Sequence, residues 1–387
     1  MNRRSFFGII LFSLFNSFLY GKTLPKKNKI RSIIDIPSSK PKDFYSAELI
    51  KDTFYIPIKS KGYIQTFNKK TTALSKIPLP NGAEPDIVFY SKNFGLFIGS
   101  SDSFPLLLIR DISSKKVSII EEELKINGLY RFSPTSVKES PSGDKLFIGS
   151  QNLKSYPIIY TKNGITPLIN ESLSKFGTYD AVWLSETELL VSSFSAGKVF
   201  FIQHINNNTK VLKEFKIKGS YRFSPILNQK IILTTIYNGK IYIFKVSKLN
   251  NLSQGHDIEI LNSIEVPFKY YQLKRLIPPE NFDKYANRFI FYILRNFNEN
   301  ILDWNYRESI MSNFYPYFND VHWVTKNKFA LTTRKGNAII LMNLKGQVLD
   351  TIFGDLIPTR FIGTRLPGAP LSFVSRSSSS QINFVEF

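Results

Sequence analysis

The residues able to do chemistry recur at matching places along the chain. Tyr45 and Glu48, Glu84 and Asp86, Tyr130 and Arg131, Tyr179 and Asp180, Tyr221 and Arg222, Lys274 and Arg275, Asp320 and His322, and finally Arg360 each stand where an apolar segment begins. Tyr-Arg-Phe-Ser-Pro occurs twice, at 130–134 and 221–225. If these starts converge on one cavity, Arg131, Arg222, Arg275 and Arg360 present planar forks of N–H donors that suit a carboxylate or phosphate. Tyr130 and Tyr221 would lie beside them. The alternative pairs the arginines with Asp86, Asp180 and Asp320 across neighbouring segments, because burying one sign of charge alone is costly.

Metal chemistry has little to work with. The histidines are His204, His256 and His322, and none lies at ligand spacing from another. His204 and His256 fall in outer-strand or loop positions of the pattern. His322 shares a strand face with Asp320 by alternation, which would suit a metal or an acid–base pair. Two ligands alone do not make a site, and a hydrogen-bonded structural pair is the simpler reading. Glu48, Glu84, Asp86, Asp180 and Asp320 could offer oxygens to calcium, but no known loop pattern groups them. There is no Gly-x-Ser-x-Gly elbow and no Gly-x-Gly-x-x-Gly after a strand. Gly21-Lys22-Thr23 imitates the end of a phosphate loop, but its upstream glycine position is Asn16. The chain has no cysteine, which excludes disulfides, thiolate zinc, cysteine-ligated clusters and covalent c-type haem. No catalytic residue, metal or cofactor is therefore assigned.

The segments that must position these residues repeat. An apolar strand ends in small hydroxyl residues, a turn follows, and a second apolar strand begins. Lys145-Leu-Phe-Ile-Gly-Ser precedes Tyr156-Pro-Ile-Ile-Tyr, and Glu188-Leu-Leu-Val-Ser-Ser precedes Lys198-Val-Phe-Phe-Ile. Lys230-Ile-Ile-Leu-Thr-Thr precedes Lys240-Ile-Tyr-Ile-Phe, and Lys328-Phe-Ala-Leu-Thr-Thr precedes Asn337-Ala-Ile-Ile-Leu. Copies near 52–67, 96–109 and 371–385 follow the same plan. A weaker one at Arg288–Ile293 carries an insertion around Asn296–Trp304. A step of roughly 40–50 residues is the spacing of four-stranded propeller blades. Aromatic residues make up 14% of the chain, and that enrichment favours strands. Asn163-Gly164, Asn238-Gly239 and Lys345-Gly346 supply tight turns.

The expected fold is all-β, a β-propeller of seven or eight four-stranded blades. The last unit ends after its third strand, so Ile30–Ile36 would supply the fourth and close the ring. A two-sheet sandwich is the competing architecture. Residues 1–21 read as a signal peptide, 22–29 as a basic tail and 30–387 as one propeller domain. Arg3 and Arg4 precede an apolar run from Phe6 to Leu19, too short to span a bilayer comfortably. Asn2-Arg3-Arg4-Ser5-Phe6-Phe7 fits a twin-arginine signal, and a general secretory signal is the alternative. Either route is expected to place the chain in the periplasm with no stable transmembrane segment after signal cleavage, retention as an uncleaved anchor being the lesser alternative. The net charge of +21 is spread over a Lys-rich surface, with Lys26, Lys27 and Lys29 the one tight group. No nucleic-acid motif accompanies it.

Across roughly residues 45–387 the pattern resembles a family of twin-arginine-exported periplasmic propellers of unknown function, found beside imelysin-type iron-uptake proteins. The similarity is carried by Asp86-Ile-Val-Phe-Tyr with Gly95-Leu-Phe-Ile-Gly-Ser and Leu106-Leu-Leu-Ile-Arg-Asp, by Tyr271-Gln272-Leu273, and by Leu331-Thr-Thr-Arg-Lys-Gly-Asn-Ala-Ile-Ile-Leu. That family carries histidines at its funnel-facing strand starts. Here those places hold Glu84, Asp86, Arg131, Tyr179, Asp180 and Tyr271, so a histidine-based role is lost or changed. The resemblance implies fold and compartment more than activity. The expected function is a monomeric, non-catalytic exported module that binds a small anion or an envelope partner protein, linked to iron or metal uptake. The alternative is a propeller enzyme, of the lactonase or quinone-dependent dehydrogenase type, with a metal or cofactor in the funnel.

Overall fold

The computed structural model describes residues 30–36, 46–100, 105–120, 124, 132–151, 155–174, 177–193, 195–236, 239–248, 255–266, 318–333, 338–353, 357–376 and 380–385. They form seven four-stranded antiparallel sheets arranged as the blades of a propeller. In chain order the blades run Glu48–Pro78, Pro85–Ile119, Pro134–Pro167, Asp180–Lys216, Ser220–Glu265 and Phe318–Phe353. Blade 7 combines Ile357–Val385 with Ile30–Ile36 from the other end of the chain.

Alternation explains why the ring holds together. The middle strands read as continuous apolar runs because both of their faces are covered. In blade 2, Leu107 and Ile109 face blade 1, whereas Leu106 and Leu108 face blade 3. The buried apolar residues fall into seven clusters, and each one straddles a junction between neighbouring blades. Phe54, Ile56 and Ile58 of blade 1 pack against Ile362, Val374 and Ile382 of blade 7 and shut the ring.

The blade number is thereby fixed at seven. Blades 5 and 6 share a cluster of Ile232, Ile241, Phe318, Val321 and Trp323, and Trp323 Nε1 donates to the Pro225 carbonyl at 2.9 Å. No ring position remains between them for an eighth blade. The weak copy at 288–293 and its insertion lie outside the described residues.

The recurring hydroxyls have two separate tasks. The first of each pair meets the inner strand: Ser192 Oγ accepts from the Asp180 amide at 3.0 Å and donates to the Tyr221 carbonyl of blade 5 at 2.6 Å. Thr332 Oγ1 likewise donates to the Thr359 carbonyl of blade 7 at 3.1 Å. The second closes the following turn: Thr333 Oγ1 accepts from the Ala338 amide and donates to its carbonyl, at 3.0 and 2.9 Å. Gly219 leads into the inner strand of blade 5 with φ +72, and an added Cβ would collide with the Ile236 carbonyl oxygen, so only glycine fits there.

The clasp forms as the repeat count requires. Ile30–Ile36 runs antiparallel to Ser380–Val385, with Ile30 opposite Val385 and Ile36 opposite Ser380. One residue, Ile33, bulges between Ser32 and Ile34. Deleting the chain through Ile36 exposes Ser380–Val385 as a sheet edge. Calorimetry is expected to show Tm lowered by roughly 5 °C or more, with concentration-dependent association in gel filtration. An unchanged Tm and a monomeric profile would contradict the clasp.

Candidate functional site

The innermost strands pack on one another in succession from blade 1 to blade 7, so these strands line the central channel. Two carboxylates on them do the same local job. Asp180 Oδ2 of blade 4 accepts from the Phe223 amide of blade 5 at 2.9 Å. Asp320 Oδ2 of blade 6 accepts from the Phe361 amide of blade 7 at 3.1 Å. Arg222 and Arg360 each stand one residue before an amide held in this way. Blades 4 to 7 therefore alternate Asp, Arg, Asp, Arg around their side of the channel.

Each carboxylate is matched by a cation that the strand starts did not reveal. Lys138, from the inner strand of blade 3, lies 3.2 Å from Asp180 Oδ1. Arg365, from the connection after the inner strand of blade 7, reaches Asp320 Oδ1 at 2.5 Å, and the Val321 amide donates to the same oxygen. Asp180 is fully buried. Burial alone would push its carboxyl up, but Lys138, Arg222 and Arg365 hold it below the usual carboxylate range. Burial pulls the Lys138 ammonium down to about 8, helped by Arg365. Glu48, half-buried on the inner strand of blade 1, is pushed up to about 8 by burial against the pull of Arg365.

Arg222 and Arg360 have no carboxylate partner among the described residues. Arg222 is buried, its Nε makes no hydrogen bond, and its guanidinium stands 5.3 and 5.2 Å from the ring centres of Tyr179 and Tyr221. Those rings stack at 4.1 Å, and their hydroxyls are 2.5 Å apart. Arg360 extends from blade 7 across the ring to blade 3, where its Nη2 donates to the Thr135 carbonyl at 3.1 Å. Burial and the neighbouring Arg222 lower the Arg360 guanidinium to about 10. Burial pushes the Tyr179 phenol up, so it stays neutral.

The pairing expected from the sequence is not made: Asp180 and Asp320 take Lys138 and Arg365 instead, and Arg222 and Arg360 are in no salt bridge among the described residues. Asp180, Tyr221, Arg222, Asp320 and Arg360 come together. Asp86 belongs elsewhere, since its Oδ2 takes Lys59 Nζ at 3.0 Å at the junction of blades 1 and 2. Tyr130, Arg131 and Arg275 lie outside the described residues, as do Tyr45 and Lys274. His322 shares the blade 7 side of its strand with Asp320, but the two are not bonded to each other. The His322 Nδ1 lies 2.8 Å from the Trp323 carbonyl and so carries the proton, and its ring packs edge-on against Phe361. Burial lowers its imidazole to about 4, so it is neutral and no acid–base partner of Asp320. His204 sits on the third strand of blade 4 beside Thr209, and His256 opens the outer strand of blade 5, 2.6 Å from Glu188. Among the described residues no three His, Asp or Glu side chains converge.

The cluster makes ligand-free stability depend on pH. Folded Glu48 keeps its proton up to about pH 8, while in the unfolded chain it loses it above about 4.5, so its contribution falls as pH rises across that interval. His322 acts in the opposite sense between about 4 and 6.5, neutral when folded and protonated when unfolded. Stability is expected to decline between about pH 6.5 and 8, by up to about 1.4 kcal/mol per pH unit. Glu48→Gln is expected to flatten that decline, as urea unfolding across the range would reveal.

No family model matches the chain, and neither does any curated protein. Solved propellers do. A streptogramin B lyase superposes with a TM-score of 0.58 at 8% identity, covering 92% of this chain and 97% of that one. The virginiamycin B lyase of Staphylococcus aureus gives 0.59 at 11% identity, covering 93% and 99%. The Cps50 (Swd1) β-propeller domain of Myceliophteria thermophila gives 0.58 at 10% identity, covering 91% and 98%. Identities this low establish a shared architecture and nothing about chemistry: the chain is a seven-bladed β-propeller.

Proposed function

We propose that this protein is an exported, non-catalytic propeller that binds a small anionic ligand in its central channel. One observation carries the reading: Arg222 and Arg360 are held in the channel, and neither is in a salt bridge with a carboxylate among the described residues. A cation in such a place is costly unless something pairs with it. Guanidinium is suited to that role, since its fork matches oxyanions and it stays charged where an ammonium would not. The N-terminal signal pattern supports export to the periplasm. The resemblance to propellers beside imelysin-type proteins supports a setting in iron or metal uptake.

Thermal unfolding with phosphate, sulfate or succinate tests the reading. An anion at a hundred times its dissociation constant adds about 2.7 kcal/mol to stability, which several degrees of Tm would register. The double variant Arg222→Gln/Arg360→Gln is expected to lose that response while keeping the general salt effect of sulfate. Equal shifts in both proteins would overturn channel binding. Export is checked by fractionation: the mature chain is expected in the periplasm, and a cytoplasmic full-length chain would contradict it.

A further inference from the structure

At the junction of blades 4 and 5, two buried groups of opposite character lie within electrostatic reach of each other without bonding. Asp180 Oδ2 is spent on the Phe223 amide, whereas Asp180 Oδ1 makes no hydrogen bond among the described residues. Lys138 Nζ stands 3.2 Å from Oδ1 as an ion contact only. Arg222 comes one residue before the Phe223 amide, and its Nε is likewise buried with no hydrogen bond. Arg222 helps to hold the Asp180 carboxyl down, and Asp180 in turn favours the charged guanidinium. The two are nevertheless in no salt bridge with each other.

The same mixture of unmet donors and acceptors extends around the cluster. His322 Nε2, on the inner strand of blade 6, is buried with no hydrogen bond, and because the ring proton sits on Nδ1 it is an acceptor. The buried hydroxyl of Ser136, next to the Thr135 carbonyl that Arg360 reaches, can give or accept and does neither. Buried groups left unmet are costly. A plain oxyanion answers the donor and leaves both acceptors as they are. An ammonium answers the acceptors, but at Asp180 it has to share an oxygen with Lys138 and face Arg222. A hydroxyl meets no such conflict, since it is neutral and both donates and accepts through one atom.

We infer that the channel ligand is a hydroxycarboxylate, its carboxylate taken by the guanidiniums of Arg222 and Arg360, its hydroxyl accepting from Arg222 Nε and donating to Asp180 Oδ1. This rests on the channel-binding reading and goes beyond it in naming the ligand class. In a 2-hydroxy acid the hydroxyl and one carboxylate oxygen lie side by side on neighbouring carbons, so one edge of a guanidinium donates to both. Arg360 spends one N–H on the Thr135 carbonyl and keeps the rest of its fork for the carboxylate. The hydroxyl then supplies what a simple anion lacks, a proton for the spare oxygen of a buried aspartate.

Titration calorimetry at pH 7 with propionate, lactate, alanine and sulfate tests this. The three organic acids share one carbon skeleton and differ only in carrying a hydrogen, a hydroxyl or an ammonium beside the carboxylate. The tighter enantiomer of lactate is expected to bind at least about tenfold more strongly than propionate, one tenfold being about 1.4 kcal/mol, because a site built to hydrogen-bond a hydroxyl rejects the analogue lacking it. Alanine is expected to bind no better than propionate. Asp180→Asn keeps an oxygen for the Phe223 amide and is expected to bring lactate down to the level of propionate, while the wild-type comparison needs no variant to fold. Lactate no tighter than propionate, alanine as tight as lactate, a folded Asp180→Asn variant that keeps the lactate preference, or sulfate binding where no carboxylate binds would each overturn the hydroxycarboxylate and leave channel binding standing. Absence of binding by all four would overturn the channel-binding reading itself.

Discussion

In a closed ring, each inner strand must have its channel-side backbone satisfied by the blade before it. No water-filled edge exists there to do the work, and a buried amide left unmet is costly. Blade 1 solves this with a neutral group: Ser46 Oγ accepts from the Val88 amide of blade 2 at 3.0 Å. Blades 4 and 6 use carboxylates at the corresponding contact. That choice governs the rest of the channel. An aspartate buried to satisfy an amide brings a charge with it, and the charge calls for a cation. Lys138 and Arg365 answer from different directions, one along the neighbouring inner strand and one from the connection at the other end of blade 7.

Arg222 and Arg360 do not follow from that requirement. Each occupies the position where the preceding blade has an aspartate, yet neither is in direct ion-pair contact with one among the described residues. Their company is mainly aromatic and carbonyl: the stacked Tyr179 and Tyr221 beside Arg222, the Thr135 carbonyl at the tip of Arg360. A cation over aromatic rings recovers some of its lost hydration, and a carbonyl recovers a little more. Neither replaces a counterion.

Much of this architecture was legible in the chain because the repeat encodes it directly. The Ser-Ser and Thr-Thr pairs mark where a second strand ends, and each hydroxyl of the pair turned out to serve a different backbone contact. Ile30–Ile36 was legible as the closing strand because a ring of complete blades lacks one strand at the end of the chain. Lys138 and Arg365 were not legible. Lys138 lies inside Pro134–Glu139, where a lysine reads as a solvated strand residue, and Arg365 sits in a connection with no repeat to align it. Long side chains carry their charge far from their own Cα, so strand position says little about where the head arrives. Asp86 misled for the opposite reason, having the right position while Lys59 stands close enough to take it. The seven-versus-eight ambiguity arose from the weak copy at 288–293, and direct packing of Trp323 against blade 5 resolved it, a contact that spacing does not contain.

The remaining question is why a fold would keep at its axis two guanidiniums that are in no salt bridge among the described residues. Seven apolar clusters, one per junction, hold the ring without help from the channel. Apolar residues of similar volume are often neutral or stabilising where a buried ion pair is replaced, and an unpaired ion has even less claim on stability. The alternating Asp and Arg positions act on one another at a distance, Arg222 helping to hold the Asp180 carboxyl down, but the direct ion pairs of the aspartates are with Lys138 and Arg365. A pair of cations maintained against desolvation, one of them spanning the ring from blade 7 to blade 3, is therefore best understood as a half-built ion cluster. On the channel-binding proposal, the other half would be an anion from outside the chain, placed between blades 3, 5 and 7.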